Sequence, residues 1–365
     1  MLKYEPDQLG SYAREDVVFL LRDISHMNVE IQTAEREKRI QSGTHYAEML
    51  PVEYQPSAEY IQLFHHSLTQ YAERLSKAVV TVAEKIMALK NLNDLVLVSL
   101  ARAGTPIGIL IKRYLLFKYE VSVPHYSISI IRGRGIDETA IRYILHQHPT
   151  GQIQFVDGWT GKGAITHELS EACALLQETD GITLEPSLAV LADPGHSVKI
   201  YGTRDDFLIP SACLNATVSG LVSRTVLNPA FIKSGDFHGA KYYKELQNVD
   251  MSNYFIDTIA AQFSNVTNNG DKIDLNEPEP SWKGMESVRT IQQHFGIANS
   301  HHIKPGIGET TRVLLRRVPW KILVNPVYEH DLSHIYLLAK ERGVEVETYT
   351  DMTYACCGLI KELNK

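Results

Sequence analysis

Apolar and polar positions follow different rhythms in different parts of the chain. The stretch "YIQLFHHSLTQYAERLSKAVVTVAEKIMALK" (60–90) repeats its apolar residues at helical spacing and holds no Gly or Pro, which predicts a long amphipathic helix. Residues 1 to about 90 as a whole are expected to be mostly helical. They contain a loop-like stretch, "SGTHYAEMLPVEYQPS" (42–57), dense in Tyr, His and Glu. From about residue 94 short apolar runs alternate with amphipathic ones. "LVLVSL" (95–100), "VSVPHYSISII" (121–131), "QIQFVD" (152–157) and "SLAVLADP" (187–194) read as strands. Helices are expected between them over 105–118, 137–148 and 163–178. This alternation predicts an α/β fold with a mostly parallel sheet covered on both faces. Residues 205–227 are expected to close that unit.

After it, "FSNVTNNGDKIDLNEPEPSWKG" (263–284) is rich in Asn, Gly, Pro and acids and reads as a linker or exposed loop. A small unit follows, with strands at 320–326 and 343–350 around a helix at 329–342. The expected organisation is a helical region or hood over 1–90, an α/β core over 91–235, a helical extension and linker over 236–299, and a small α/β unit over 300–365.

Composition narrows the classes. The chain has 365 residues, 44% apolar and 22% charged, with a net charge of −7, which argues against wholesale nucleic-acid binding but allows a local basic patch. The cysteines, Cys173, Cys213, Cys356 and Cys357, form no CxxC pair, and sparse thiols fit a reducing cytoplasm. The first 25 residues carry acids throughout and do not read as a signal peptide, and no apolar run approaches a membrane span. His301 and His302 form no recognisable metal set with a nearby Cys or His pair.

The segment "FVDGWTGKGAIT" (155–166) carries the densest chemistry. It is not a Walker A loop: Gly158 lies only three residues before Gly161, and Lys162 is followed by Gly163 rather than Ser or Thr. Nor does it have the spacing of a dinucleotide fingerprint. The remaining reading places the strand-ending Asp157 beside a phosphate-binding turn, Thr160-Gly161-Lys162-Gly163-Ala164, at the start of a helix. Glycines let amides approach oxygens, and the helix start adds free donors. Asp157 would accept from sugar hydroxyls.

This arrangement resembles the phosphoribosyl pyrophosphate (PRPP) loop of the type I phosphoribosyltransferases. Gly158 stands where that family's motif has a second acid, and the spacing is one residue shorter, which marks a divergent member. The turn Ala101-Arg102-Ala103-Gly104 matches the family's pyrophosphate loop, and Arg132 and Arg134 in "IIRGRGIDE" (130–138) match its mobile hood. The resemblance implies a type I phosphoribosyltransferase-like sheet, a Mg2+ ion held through substrate at Asp157, and transfer of ribose phosphate to or from a base-like acceptor. Arg102, Arg132, Arg134 and Lys162 would neutralise the leaving group. His45, Tyr46 and Glu48 would form a lid, and Ser211, Cys213 and Asn215 part of a base pocket.

"KPGIGETTRVLLRR" (304–317) resembles the pelota and ribosomal-protein type of RNA-binding domain, with Gly306 and Glu309 at its motif positions, Gly308 in place of the motif's Asn and Arg312 in place of its Lys. Lys304, Arg312, Arg316, Arg317 and Lys321 supply positive charge suited to RNA. The two resemblances together, with "HYAEML" and "IPSACLNATVSGLVSRT", identify the chain as a member of the phosphoribosyltransferase-like proteins with a C-terminal pelota-type domain found in bacterial tellurite-resistance stress operons. Members also carry the label cysteine protease StiP. That label makes a thiol protease the rival reading, with Cys213 as nucleophile, His196 upstream in "DPGH" and Asn215 nearby. A non-catalytic sensor of nucleotide or RNA is a third reading. The expected partners are a phosphoribosyl substrate, RNA through the C-terminal domain, and a second copy of the chain.

Overall fold

The computed structural model describes residues 5–53, 55–268 and 279–360. The apolar runs become a six-stranded parallel sheet: β1 (Val18–Phe19), β2 (Leu95–Leu100), β3 (His125–Ile128), β4 (Gln152–Trp159), β5 (Leu188–Ala192) and β6 (Ile200–Thr203). Their spatial order is β1-β3-β2-β4-β5-β6. Every residue of β2 is buried, because helices cover both faces. Along it Leu95 and Leu97 enter one core, while Val96, Val98 and Leu100 enter the other, the two-residue alternation that a pleated strand imposes.

Helix α1 (Thr33–Gln41) precedes the long α2 (Ala58–Leu89), whose Phe64, Leu68, Leu75, Val79, Val82 and Ile86 share one core-facing stripe. With α3 (Gly104–Tyr119) it covers the first face of the sheet, and α4 (Glu138–Gln147) and α5 (Ala164–Asp180) cover the second. α6 (Ser252–Ala260) and α7 (Phe263–Asn268) pack against α2. α8 (Lys283–His294) then leads into the C-terminal unit. Of the expected linker at 263–284, residues 269–278 lie outside the described residues.

Two local expectations change. Ahead of Ala58 the chain is largely irregular apart from α1 and a 3-10 turn at Tyr46–Glu48, since Pro6, Gly10, Gly43, Pro51 and Pro56 interrupt any helical period. Within it Val18–Phe19 joins the sheet edge instead. Beyond β5, residues 200–203, between the expected strand at 187–194 and the closing segment at 205–227, add β6 to the sheet.

The C-terminal unit holds β7 (Ile303–Pro305), α9 (Ile307–Arg316), β8 (Pro319–Val324), α10 (Ser333–Arg342), β9 (Glu345–Thr348) and β10 (Cys356–Ile360). Its sheet runs β7-β10-β8-β9, with β10 antiparallel to both neighbours and β9 parallel to β8. One face packs on α8 through Val288 and Ile291. On the other face, Ile307, Leu314, Leu332 and Ile335 belong to the same apolar cluster as Phe207, Leu208 and Ile209 of the main unit, so the two units share a core.

From β2 the chain goes to β3 on one side, and the next strand, β4, lies on the other. The C-terminal ends of β2 and β4 therefore flank the topological switch point, where crevices of parallel sheets form. The C-terminal unit sits over that end.

Candidate functional site: a cation-lined seam between two units

The turn after β4 lies at this switch point. Asp157 accepts from the Gly158 amide (2.7 Å), and burial pushes its carboxyl up to about 7, with Glu309 adding to the rise and Arg312 opposing it. The Thr160 hydroxyl donates to the buried Asp193 carboxylate, which also accepts from the Ser197 and Val198 amides and from Arg204. Tyr354 Oη donates to the Gly161 carbonyl (3.0 Å), and Lys162 Nζ donates to the Ser300 carbonyl (2.6 Å). Gly163 caps α5, which starts at Ala164, in a left-handed conformation; a Cβ there would lie 2.4 Å from the Trp282 ring. The cavity left among Trp159, Thr160, Asp206, Gly306 and Gly308 is about 10 Å³, about one water.

The turn after β2 packs against this one. A Cβ on Gly104 would sit 2.3 Å from the Val156 carbonyl oxygen, so only glycine allows the approach. Ala101 and Ala103 flank Arg102, whose guanidinium donates to Asn215 Oδ1 (3.0 Å) and the Val222 carbonyl (3.1 Å) and lies 3.9 Å from Glu53.

A hairpin, Ile130–Ile131 with Gly135–Ile136, brings a third segment. The Gly133 and Gly135 amides donate to Glu168 on α5 (2.7 and 2.8 Å). The Arg132 amide donates to Tyr46 Oη (2.9 Å), His45 Nε2 lies 3.2 Å from the Arg132 carbonyl, and Arg134 pairs with Glu48 at 3.4 Å. The two segments read separately in the sequence as a lid and a hood thus meet.

The C-terminal unit completes the site from above. The Ile307 amide at the start of α9 donates to Asp206 Oδ1 (2.9 Å), and Gly306 caps that helix. A Cβ on Gly308 would lie 2.8 Å from the Trp159 ring, and the Arg312 guanidinium lies 4.4 Å from that ring's centre while donating to Glu309 (2.8 Å). The residues read as RNA contacts on α9 therefore face the main sheet. The side chain of Arg316 lies outside the described residues.

Arg102, Arg132, Lys162, Arg224, Lys304 and Arg312 gather around this seam. Burial, then repulsion from Lys304 and Arg132, lowers Lys162 to about 8. Burial also lowers Lys304, with Arg132 and Arg224 adding to it, and brings His301 down to about 4. Arg224 is lowered by burial and by Arg36 and Arg102. Arg224, Arg36, Asp193 and Asp206 were missed in the sequence, and His301 was weighed only as a metal ligand, since no spacing links residues so far apart.

The cysteines differ in setting. Cys173 is inside α5 in the second core, where burial pushes its thiol up to about 11. Cys356 and Cys357 point to opposite faces of β10, and burial raises both, Cys357 to about 12. Cys213 is 1% exposed and ends the turn Pro210–Ala212, which includes Ser211 and packs between α2 and α9. His196, on the turn after β5, has left-handed backbone (φ 53°) and lies among Asp193, Arg204 and Lys283, and burial keeps its imidazole below the ordinary range.

Among the described residues no group of three or more His, Cys, Asp or Glu could hold a metal ion. The one carboxylate expected to meet Mg2+, Asp157, is already engaged by the Gly158 amide and disfavoured as an anion by burial, so the donors do not fit that ion. Among the described residues no helix is long and apolar enough to cross a membrane.

A parallel α/β unit capped by a small α/β domain, with cations and a cysteine-bearing turn at the seam, defines the class of protein. Residues 10–260 match the family described as tellurite-like stress resistance cysteine protease StiP, and residues 282–362 match the PELOTA RNA binding domain. A protein of Acinetobacter baylyi named "Cysteine protease StiP" is 34% identical over 369 residues, covering 98% of this chain and 95% of that protein. The chain belongs to the StiP family.

These matches correct the expectation of a PRPP-dependent phosphoribosyltransferase with its magnesium: both the family and the full-length relative are named for proteolysis. The geometry has a matching physical reason. The Thr160 hydroxyl, the Gly161 carbonyl and the Lys162 ammonium, on the turn read as a phosphate cradle, are engaged by protein partners.

Proposed function

We propose that the chain is a cysteine protease acting in a tellurite-like stress response, with Cys213 as the nucleophile. The observation that carries this is the setting of the thiols within the matched region. Cys173 is held inside a helix against a packed core, whereas Cys213 lies on irregular backbone two residues from Asn215, which anchors Arg102. Attack on a peptide carbonyl would form a thioester and release the amine, and water would then release the acid and restore the thiol.

Hydrolysis of fluorescein-labelled casein by the full chain tests this. Activity should be blocked by iodoacetamide and should fall at least about a hundredfold in Cys213→Ser, with Cys173→Ser near wild type. Iodoacetamide-resistant hydrolysis, or full activity in Cys213→Ser, sinks the assignment.

A second reading, RNA binding, is favoured by the gathering of six cations, two from the pelota-matched domain, around one seam on an acidic chain. Fluorescence anisotropy with a single-stranded RNA tests it. Affinity that does not weaken with added salt would exclude this mode.

A further inference from the structure

We propose that the C-terminal domain is an autoinhibitory cover over Cys213, fastened by a polar latch at Asp206, Tyr354 and Lys162. The inference rests on the reading of Cys213 as nucleophile and adds how that site is controlled.

Three facts lead to it. First, α9 packs on the Pro210–Ala212 turn, and its Ile307 and Leu314 share an apolar cluster with Ile209, Ala212, Cys213 and Leu214. A substrate carbonyl cannot reach a thiol that is 1% exposed beneath this helix. Second, the seam closes through a few specific bonds. The buried Asp206 carboxylate accepts from two separated points of the domain, the Ile307 amide and the Ala355 amide, both at 2.9 Å. Tyr354 and Lys162 add the bonds to Gly161 and Ser300, and Tyr71 Oη donates to Asp331 on the far side (2.6 Å).

Third, the seam brings like charges together. Arg132, Lys162 and Arg224 from the main unit face Lys304 or Arg312 from the cover. Closure therefore holds desolvated cations near one another, and opening relieves that repulsion. A boundary of this kind is where a shared core yields first, ahead of the two flanking sheets. Once α9 lifts, the Cys213 turn loses the cover on one side and keeps its seat on α2.

The test is alkylation of the full chain by iodoacetamide under native conditions, with each cysteine followed by mass spectrometry. Tyr354→Phe removes one hydroxyl and keeps the ring in place. It should raise the Cys213 labelling rate about fivefold, the equivalent of one lost hydrogen bond. Asp206→Ala should raise it further. Cys173, in the opposite core, should label at its wild-type rate, and casein hydrolysis should rise with Cys213 labelling. An unchanged Cys213 rate in both variants overturns the cover, as does a parallel rise at Cys173, which marks general loosening. Faster Cys213 labelling with no casein hydrolysis upholds the cover and removes the protease reading. Casein hydrolysis with Cys213 labelling unmoved by either variant does the reverse.

Discussion

Arg102 extends from the turn after β2 to Asn215, its guanidinium nitrogen 3.0 Å from the amide oxygen. That bond, with the one to the Val222 carbonyl, ties the glycine-bearing turn to the segment that follows Cys213. The side chain is only 13% exposed, so its loss leaves two acceptors and Glu53 without their cation. Arg102→Met should lower stability by about 2–3 kcal/mol in urea unfolding. Arg102→Lys should recover less than half of it, because an ammonium cannot reproduce the guanidinium fork. A lysine variant as stable as wild type would show that charge alone matters there.

Asp157 makes a pH-dependent contribution whose sign is set by burial. Its carboxyl is raised to about 7, so the folded chain holds that proton more tightly than the unfolded chain does. The stabilising contribution is complete below about pH 4, declines between the two values, and is gone once pH has risen through 7. Asp157→Asn can keep an acceptor for the Gly158 amide without the charge. Urea midpoints should therefore fall less steeply with pH in the variant than in wild type. Above pH 7 the variant should be the more stable, by no more than about 4 kcal/mol and by less where water reaches the site. Parallel midpoint profiles for the two proteins between pH 4 and 8 would refute this.

The readable parts of this chain are those governed by local rules. β2 is apolar but for Ser99, β4 carries Ile153, Phe155 and Val156 between polar ends, and α2 is one long period of apolar residues, so their positions follow from burial and geometry. β10 was not legible: "CCGLI" is short and lacks alternation, yet it occupies a central place in the C-terminal sheet. The partners of the β4 turn were illegible for a related reason. Lys162 and the glycines around it read as groups free for an anion, and nothing near them in the chain says otherwise. Their partners, Ser300 and Tyr354, lie well over a hundred residues away. A lone cysteine between Ala and Leu carries no local mark of chemistry either, which is why Cys213 remained the lesser reading.

If the seam cations bind RNA, their number is measurable. Each cation that neutralises a phosphate releases counterions, so log affinity falls linearly with log salt. Lys304→Ala should weaken binding to single-stranded RNAs of different sequence by similar factors and reduce the salt slope by about 1. Lys199, which pairs with Glu279 away from the seam, provides the control, and its alanine variant should leave the slope unchanged. Equal slopes for wild type and Lys304→Ala would place the RNA elsewhere.

The two glycines of the β4 turn separate a ligand cradle from a packed joint. At Gly161 an added Cβ would find its nearest neighbours at 3.7 Å, the Pro305 carbonyl oxygen, and 3.8 Å, Glu309 Cγ, both ordinary contacts. At Gly163 the backbone is left-handed (φ 79°), and a Cβ would lie 2.4 Å from the Trp282 ring and 2.9 Å from Ser197 Cβ. Gly161→Ala should therefore stay within about 1 kcal/mol of wild type. Gly163→Ala should lose about 2–4 kcal/mol, combining the strain of positive φ with displacement of an aromatic ring. A loop whose glycines serve only to expose amides to a ligand would show small and similar stability losses at both positions. Urea unfolding of the two variants distinguishes these cases, and equal effects would refute the packed joint.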